Sequence, residues 1–581
     1  MPFSDLGIFL GDVSLMEIEH YTKDPVKAQS ALLRKILRRS RTSEYGRKYD
    51  FGSIASVADF RQKVPLSAYP DYAPYVARMM QGERNLLYTG RNVRYCTSSG
   101  SVGKPKMLPK SAGDLWKMQC IGFSCSVATA AHHLRRTKGI RMPRQVGLLT
   151  MGLTGHTAPD GKKINDAGQV PLDYLRCIMP LFCTSPLSLM YPAREQLLDM
   201  PYLQLRFALE NRSVSYLGSL VITLLTTMFD YLERNWQTLC DDIEKGVINP
   251  SVRITPELRA EYAKKLRPDP ARAAELRREF AKGFDDPIAP RIWPRLTWVY
   301  GMVSSTLKVY VAKLRRYIGP DIPLHNMGYG AAEGFFAMAT ELDADDYVLL
   351  PHCIFFEFIP VDDDDPNAED EHPQTLLMHE LEIGKKYEVV ITNSSGLYRY
   401  RMFDVVRVTR MHHDTPQVEF LYRRNLGMNI ANEKMTTDMV DEAVKNTANA
   451  LGLTVEGYSV CDDFSVDPPR YCMLFETAEP VDDAMRQQMS ALLDGYFKEY
   501  NDKYETRRMT MIGAPEVLLL EKGSYAAYRE SLLRSGKLLN QQKPVTVLNT
   551  PQRRDFFLSR VVTPSSAVDK WRAEREGTVS E

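Results

Sequence analysis

The segment Thr97-Ser-Ser-Gly-Ser-Val-Gly-Lys-Pro-Lys106 is the most informative stretch of this 581-residue sequence. It follows the apolar residues 93–96, which predict a strand, and its glycines alternate with hydroxyl residues ahead of a lysine. Glycines let backbone N–H groups approach phosphate oxygens, serine hydroxyls add donors, and lysine supplies a positive charge. The segment therefore predicts a loop that wraps a polyphosphate.

Two other known motifs fit this loop less well. A Walker loop is excluded because Gly100 and Gly103 are too close together and no Ser or Thr follows Lys104. The tetrapeptide Ser101-Val-Gly-Lys104 matches the S-x-x-K pattern of acyl-serine enzymes, but so short a pattern is common by chance and no K-T-G follows it. Phosphate binding is the favoured interpretation.

Length and composition narrow the class of protein. A chain of 581 residues exceeds the roughly 250–300 residues at which one hydrophobic core stops growing, so we expect two or more domains. The chain has 44% hydrophobic and 25% charged residues, the ordinary mixture of a globular protein. Its 74 Lys and Arg balance 73 Asp and Glu, which predicts small-molecule partners and no nucleic acid.

Cysteine usage and hydropathy predict a cytoplasmic chain with no membrane partner. The nine cysteines are an odd number without a C-x-x-C pair, which favours reduced thiols. Residues 1–10 lack a basic region and carry Asp5, which argues against a secretory signal. The uncharged residues 213–229 are short for a membrane span and contain six Ser or Thr, so we expect a buried helix or strand pair beside a ligand pocket. A monomer is the favoured oligomeric state.

Apolar periodicity predicts helices that alternate with strands. Asp24-Pro25 followed by an apolar stripe predicts a capped helix, and residues 229–246 predict a second helix that ends at Gly246. Short apolar runs predict strands at 145–150, 347–350 and 387–392. This alternation indicates an α/β architecture.

Two polar stretches are predicted to lie at the surface. Residues 362–371 are acidic, contain Pro366 and have few apolar side chains, which predicts a solvated loop rather than a metal site. Residues 565–581 are polar with a helical composition, which predicts a loosely held tail.

The phosphate loop resembles the signature T-[ST]-G-[ST]-T-G-x-P-K of adenylate-forming enzymes. Residues 98–106 match it, with Val102 where a threonine is usual. Two further segments follow in the order of that superfamily: Tyr329-Gly-Ala-Ala-Glu333 resembles Y-G-x-T-E, and Tyr400-Arg-Met-Phe-Asp404 resembles Y-x-T-G-D. Agreement of three ordered segments is far more specific than any one of them.

The resemblance implies a role for each segment. It implies that ATP is bound by Ser98, Ser99, Gly100, Ser101, Gly103, Lys106, Tyr329, Gly330, Ala331, Ala332, Glu333 and Asp404. Tyr329 would stack on adenine, Glu333 would act in catalysis and ligate phosphate-bound Mg²⁺, directly or indirectly, and Asp404 would accept both ribose hydroxyls. Each residue alone also has a plain structural interpretation, in which Glu333 is a helix N-terminal carboxylate and Asp404 lies in a turn or pairs with Arg401.

The whole chain resembles, more narrowly, the auxin-responsive acyl-acid amido synthetase family. The resemblance runs from about residue 32 to about residue 544, is weakest over residues 110–229, and is carried by segments such as Thr42-Ser-Glu-Tyr-Gly46, Leu232-Glu-Arg-Asn-Trp236, Gly396-Leu-Tyr-Arg-Tyr-Arg401 and Glu433-Lys434. It implies an α/β fold in which residues 1–422 form a large ATP- and acyl-acid-binding domain with β-sheets flanked by helices. Residues 423–581 would form a smaller, mobile α+β lid domain.

The family resemblance also implies site residues at the hinge and in the lid. Tyr422-Arg-Arg-Asn425 would lie at the hinge, and both Arg423 and Lys434 would bind ATP. The segment Asn540-Gln-Gln-Lys543-Pro544 resembles N-Q-Y-K-T-P, whose lysine would approach the phosphates or the acyl oxygen when the lid closes. Lys543 is therefore a candidate catalytic residue, with a solvated loop lysine as the alternative. The amino-acid site would include Gly523, Ser524 and Tyr525.

These implications predict a ligase that uses ATP and Mg²⁺ to adenylate a small carboxylic acid and then passes the acyl group to an amino acid. Mg²⁺ at Glu333, the loop 98–103 and Lys543 would share the neutralisation of phosphate charge, and a closing lid would exclude water. The acid pocket is expected to involve residues 213–229 and 298–305. Two alternatives stay open: a thioester-forming ligase that uses coenzyme A or a carrier protein, and a nucleotide-binding protein without turnover, suggested by Val102 and Ala332.

Overall fold

In the computed structural model of this chain, the described residues divide into two compact units, one up to residue 424 and one beyond it. The residues that the structure describes are 3–97, 106–119, 121, 124–139, 141, 146–149, 155–166, 179–190, 199–303, 308–361, 373–424, 428–431, 433, 435, 437–508, 510–534, 547–548 and 551–578. The acidic residues 362–371, predicted to form a solvated loop, lie outside these ranges.

The helices of the first unit include both of the predicted ones. They are α1 (Phe3–Tyr21), α2 (Pro25–Ser40), α3 (Glu44–Lys48), α4 (Val57–Lys63), α5 (Tyr69–Met80), α6 (Ala112–Gln119), α7 (Cys125–Lys138), α8 (Leu187–Met190), α9 (Met200–Glu210), α10 (Ile222–Lys245), α11 (Pro256–Ala263), α12 (Pro270–Phe280), α13 (Ala289–Ile292) and α14 (Lys308–Ile318), with short 3₁₀ turns at Phe51–Ser53, Met179–Leu181 and Met378–Glu380. The Asp24 carboxylate accepts the Lys27 N–H at the start of α2, as the cap motif predicts. Helix α10 ends before Gly246, whose φ of +67° suits a glycine, but it begins earlier than predicted.

Three sheets make up the rest of this unit. Their strands are β1 (Asn92–Thr97), β2 (Met107–Ser111), β3 (Gly147–Leu149), β4 (Gly155–Thr157), β5 (Lys163–Asp166), β6 (Tyr216–Val221), β7 (Trp298–Met302), β8 (Leu324–Asn326), β9 (Gly328–Ala331), β10 (Gly334–Met338), β11 (Tyr347–Leu349), β12 (Phe355–Pro360), β13 (Lys386–Thr392), β14 (Tyr400–His412) and β15 (Thr415–Arg423). The strand orders are β2-β1-β5-β4, β3-β6-β7-β8 and β12-β13-β14-β15-β11-β10-β9. The four predicted strands correspond to β1, β3, β11 and β13.

The parallel sheet β3-β6-β7-β8 explains the uncharged stretch 213–229. That stretch forms one strand, β6, and the first part of α10, so the predicted helix is confirmed and the alternative of a strand pair is not. A ligand pocket beside this stretch stays a prediction. Because parallel strands are covered on both faces, their sequences are nearly continuous apolar runs. At Gly147 a Cβ atom would lie 2.1 Å from the Tyr216 ring, so glycine is needed for this close approach. Among the described residues, none of the helices combines the length and the apolar character that a membrane crossing requires.

The antiparallel strands bring the motif segments to defined turns. Thr97 pairs with Met107 across the β1–β2 hairpin, so the phosphate-loop segment connects two paired strands. Ala331 pairs with Gly334, which leaves Ala332 and Glu333 as the turn between β9 and β10. The segment that carries Glu333 is therefore a tight hairpin rather than the start of a helix.

The second unit has an α+β architecture. It contains α15 (Thr437–Leu451), β16 (Val455–Asp463), β17 (Arg470–Thr477), α16 (Asp483–Tyr500), α17 (Asp502–Arg508), β18 (Glu516–Leu519), α18 (Ser524–Arg534), α19 (Pro551–Leu558) and α20 (Ser566–Thr578). Side chains alternate between the two faces of the sheet β16-β17-β18, so that Met473 and Phe475 enter one buried cluster while Cys472 and Leu474 enter another. Each face is thus packed against apolar side chains of the same unit.

The C-terminal residues are more firmly held than predicted. Residues 566–578 form α20, and Val568 on this helix is buried in the same cluster as Phe557. The Trp571 indole N–H donates a hydrogen bond of 2.7 Å to Asp555. The prediction of a loosely held tail was wrong for this helix, because composition alone did not reveal its buried anchor.

Candidate active site

Glu333 is a buried carboxylate at the tip of the β9–β10 hairpin. Only 4% of its surface is exposed. The Asn393 side-chain amide donates a hydrogen bond of 2.8 Å to the Glu333 backbone carbonyl, which fixes the turn against the end of β13. Because Glu333 lies in a hairpin turn, the helix N-terminal interpretation of this residue is excluded.

Lys106 and Glu333 are joined through the hydroxyl of Tyr400. The Lys106 ammonium donates to the Tyr400 hydroxyl at 3.0 Å, and that hydroxyl donates to Glu333 Oε1 at 3.3 Å. The backbone next to Lys106 is held by Tyr69, whose hydroxyl accepts the Met107 N–H at 2.8 Å. The last residue of the phosphate-loop signature thus lies beside the carboxylate of the second motif.

Asp404 is held from two sides within the seven-stranded sheet. It lies opposite Arg423 on the neighbouring strand β15, and the Arg423 guanidinium donates to both of its carboxylate oxygens. The Tyr329 hydroxyl donates to Asp404 Oδ2 at 2.6 Å. Arg401 pairs instead with Glu388, so the salt bridge proposed as a plain alternative for Asp404 is made by Arg423.

These bonds still leave Asp404 acceptor capacity. A carboxylate offers about four lone-pair sites, and Arg423 and Tyr329 use three of them. Only 1% of Asp404 is exposed, so any further donor must enter a confined space. Asp404 can therefore accept one more hydroxyl without losing its partners, and a second hydroxyl would require one of them to move.

The electrostatics of the cluster follow from burial and from its four charges. Burial lowers the pKa of Lys106 and nearby Arg423 lowers it further, while Glu333 and Asp404 raise it. Burial also opposes the charge of Arg423, yet Asp404 raises the pKa of Arg423 above its ordinary value. Two carboxylates and two cations have formal charges that cancel. A bound triphosphate would therefore require further positive charge.

The other residues of the segment that resembles Y-G-x-T-E contribute backbone groups and one aromatic ring to the site. The Tyr329 ring packs against Phe336 and Phe420, with centroid distances of 4.8 and 5.6 Å. Ala332 is buried and, like Gly330 and Ala331, carries no polar side-chain atom. Any contact that these three positions make with a ligand comes from the backbone, because the usual hydroxyl is absent.

The predicted amino-acid site lies at the start of α18 in the second unit. The Glu476 carboxylate accepts the backbone N–H groups of Gly523 and Tyr525, the latter at 3.0 Å. Ser524 is buried and donates through its hydroxyl to the Glu521 carbonyl at 2.7 Å. These backbone donors are thus already satisfied by an internal carboxylate, and an amino-acid role for this segment stays a prediction.

Several predicted site residues lie outside the described part of the chain. They are Ser98, Ser99, Gly100, Ser101, Gly103, Lys434 and Lys543. Lys106, Tyr329, Glu333, Asp404 and Arg423 are brought together. Two residues without a predicted role join them: Tyr400, which opens its motif, and Asn393, which no sequence pattern singled out.

Comparison with solved structures defines the class of fold. The fold matches that of "GH3.15 acyl acid amido synthetase", with a TM-score of 0.61 and 23% identity over 94% of this chain and 95% of that chain. A second match is "AtGH3.15 acyl acid amido synthetase in complex with 2,4-DB", with a TM-score of 0.64 and 23% identity over 95% of this chain and 96% of that one. The chain thus has the fold of acyl acid amido synthetases.

The sequence comparisons identify the family. Residues 14–324 match the GH3 family N-terminal domain, 347–423 the central domain and 438–552 the C-terminal domain. The chain therefore belongs to the GH3 family. It is 28% identical to jasmonoyl–L-amino acid synthetase GH3.5 of Oryza sativa subsp. japonica, over 95% of this chain and 97% of the relative. It is also 28% identical to indole-3-acetic acid-amido synthetase GH3.8 of Oryza sativa subsp. indica, over 97% and 96%.

Replacement of Arg423 by methionine tests the central ion pair. Arg423→Met leaves the Asp404 carboxylate buried without its cation, so we expect the free energy of unfolding of the first unit to fall by about 3 kcal/mol in chemical denaturation. The double variant Asp404→Asn/Arg423→Met should recover part of that loss. Arg410→Met is the matched control, because Arg410 pairs with Asp346 while half exposed and should cost less than about 1 kcal/mol. Equal losses for the two single variants would contradict the assignment.

Proposed function

We propose that this GH3 family member is an ATP-dependent acyl-acid amido synthetase. It converts a small carboxylic acid and ATP to an acyl adenylate and pyrophosphate, and then transfers the acyl group to the amine of an amino acid. The observation that carries this proposal is the cluster in which the half-buried cations Lys106 and Arg423 meet the buried side chains of Glu333, Tyr400 and Asp404. Full-length likeness to curated amido synthetases supports the same reaction.

The first half-reaction is supported by the charges of this cluster. The acid's carboxylate oxygen bonds to the α-phosphorus, the bond from that phosphorus to the oxygen bridging to the β-phosphate breaks, and pyrophosphate leaves. Lys106, at the end of the phosphate-loop signature, and Arg423 contribute positive charge near the phosphates. Asp404 accepts from the ribose, and Tyr329 provides an aromatic surface for the adenine.

The donor set also fits Mg²⁺. This hard cation prefers oxygen ligands and is commonly held by one or two carboxylates together with substrate phosphates. Glu333 offers a buried carboxylate beside Lys106, and the cancelling charges of the cluster leave a triphosphate in need of further cations. When bound, the ion would supply the positive charge that the reacting phosphates require.

We assign the second half-reaction, the transfer of the acyl group to the amino acid, to the second unit. The nitrogen of the amino acid attacks the acyl carbon, the bond from that carbon to the AMP oxygen breaks, the nitrogen loses a proton and AMP leaves. We propose that residues 1–422 bind ATP and the acid together with Arg423 at the end of β15, and that the residues beyond act as a mobile lid carrying Lys434, Lys543 and the amino-acid segment 523–525. Exclusion of water by such a lid would protect the mixed anhydride from hydrolysis.

The proposed setting is the cytoplasm, with small molecules as the partners. Among the described residues, Cys183, Cys240, Cys461 and Cys472 are buried free thiols. Buried free thiols suit a reducing compartment. A monomer is sufficient for the proposed reaction, because the predicted ATP, acid and amine sites all lie on one chain.

Product analysis tests the proposed function. The full-length protein is incubated with ATP, Mg²⁺ and a panel of aromatic and aliphatic acids, with either pooled amino acids or coenzyme A as acceptor. We expect N-acyl amino acids by mass spectrometry, together with AMP and pyrophosphate. A thioester as the sole product would replace the proposal by an acyl-coenzyme A ligase. If the protein binds ATP but no acid in the panel elicits pyrophosphate release, the protein is a nucleotide-binding module without turnover.

Variants test the assigned residues. We expect Asp404→Ala and Lys543→Ala each to slow acid-dependent pyrophosphate release at least tenfold, which corresponds to about 1.4 kcal/mol of transition-state stabilisation. Asp404→Asn, which keeps the side-chain size, separates lost charge from lost packing. The exposed residues Asp285 and Lys385 provide matched alanine controls that should retain wild-type rates. Wild-type rates for Asp404→Ala or Lys543→Ala would refute that residue's role.

A further inference from the structure

A second cluster of ligand-type side chains lies in the first unit where the end of α1 meets the β14–β15 hairpin. Glu19 is on the last turn of α1, His412 ends β14, and His413 opens the turn that follows. His412 Nε2 lies 2.8 Å from Glu19 Oε1, and His413 Nε2 lies 2.9 Å from Glu19 Oε2. Two imidazoles therefore converge on one carboxylate, with one oxygen for each.

The backbone is arranged so that both rings reach the same side. Successive residues of a strand normally point to opposite faces of the sheet. His413 departs from this rule because its φ is +51°, a left-handed conformation that is unfavourable for a histidine. As a result the ring centroids of His412 and His413 are only 4.7 Å apart. Strain of this kind at a residue with ligand chemistry is found at sites that bind ligands.

Backbone contacts hold the hairpin in place beside α1. The Asp414 N–H donates to the Thr22 carbonyl at 3.1 Å, and the Thr415 hydroxyl donates to the same carbonyl at 3.0 Å. Thr415 is fully buried. The three ligand-type side chains thus project from a fixed junction rather than from a free loop.

The donor set has the chemistry of a zinc site. The ligand atoms of Glu19, His412 and His413 lie within 4.8 Å of one another. Small side-chain rotations can place each of these atoms about 2.0–2.2 Å from one shared ion. Imidazole nitrogen favours zinc and other borderline divalent metals over Mg²⁺, whereas one carboxylate alone does not. Glu19 and His412 also line a cleft of about 310 Å³, which leaves room for water as a further ligand.

We propose that Glu19, His412 and His413 form a binding site for one zinc ion, separate from the Glu333 cluster. Zinc takes the Nε2 lone pairs of the two histidines and an oxygen of Glu19, and the remaining position is filled by water from the cleft. The protons now on Nε2 move to Nδ1 or leave to solvent. The ion joins α1 to the β14–β15 hairpin and so stabilises this junction.

Metal titration of the full-length protein tests the site. The protein is freed of any polyhistidine tag, stripped with a chelator and titrated with Co²⁺ in excess Mg²⁺, which occupies sites for hard cations. We expect visible Co²⁺ absorption that saturates at one equivalent per chain and is displaced by Zn²⁺. Glu19→Gln, His412→Ala and His413→Ala should each weaken binding at least tenfold. His379→Ala is the matched control, since His379 is an exposed histidine elsewhere in the unit.

Two further readouts keep the test decisive if a variant folds poorly. Acid-dependent pyrophosphate release by Glu19→Gln without zinc should equal that of wild type, because Glu19 is not in the proposed catalytic cluster. Zn²⁺ should raise the midpoint of thermal unfolding of wild type but not of His412→Ala, because only the native junction binds the ion. The proposal is overturned if wild type binds no Co²⁺, or if all three variants bind it as tightly as His379→Ala does.

Discussion

The pairing of Asp404 with Arg423 across β14 and β15 is the constraint on which the rest of the site depends. A carboxylate with 1% of its surface exposed cannot remain charged without partners, and here two guanidinium nitrogens and the Tyr329 hydroxyl provide them. Because the two residues are register neighbours, the position of Asp404 is set by the sheet itself. Tyr400, on the same strand, then reaches Glu333 and Lys106.

Hairpins place the other members of the cluster. The β9–β10 turn carries Glu333, and the start of β2 carries Lys106, so that segments more than 200 residues apart in the chain meet at one location. Ordinary hydrogen bonds hold these segments in place, such as the bond from the Asn393 side-chain amide to the Glu333 carbonyl. The resulting group of two carboxylates and two cations is neutral as it stands, and this is why we assign the neutralisation of a triphosphate to Mg²⁺ and to the lid lysine.

Local chemistry made part of this structure predictable from the sequence. The Asp24 cap, the end of α10 at Gly246 and the strand before the phosphate loop depend on neighbouring residues, and these predictions were confirmed. Motif order also singled out Glu333 and Asp404. The partner of Asp404 was not predictable, because register depends on irregularities between Val405 and Val406 and between Val408 and Arg410. The roles of Tyr400 and Asn393, and the buried anchor of α20, likewise arise from contacts between distant segments.

A crystal structure of the protein with Mg²⁺ and a non-hydrolysable ATP analogue tests directly whether these segments bind one triphosphate. We expect one triphosphate that is contacted by the backbone of residues 98–103, with the metal ion on the Glu333 side and a ribose hydroxyl on Asp404. A nucleotide bound elsewhere, with Glu333 and Asp404 making no contact to it, would contradict the assignment of this cluster as the ATP site.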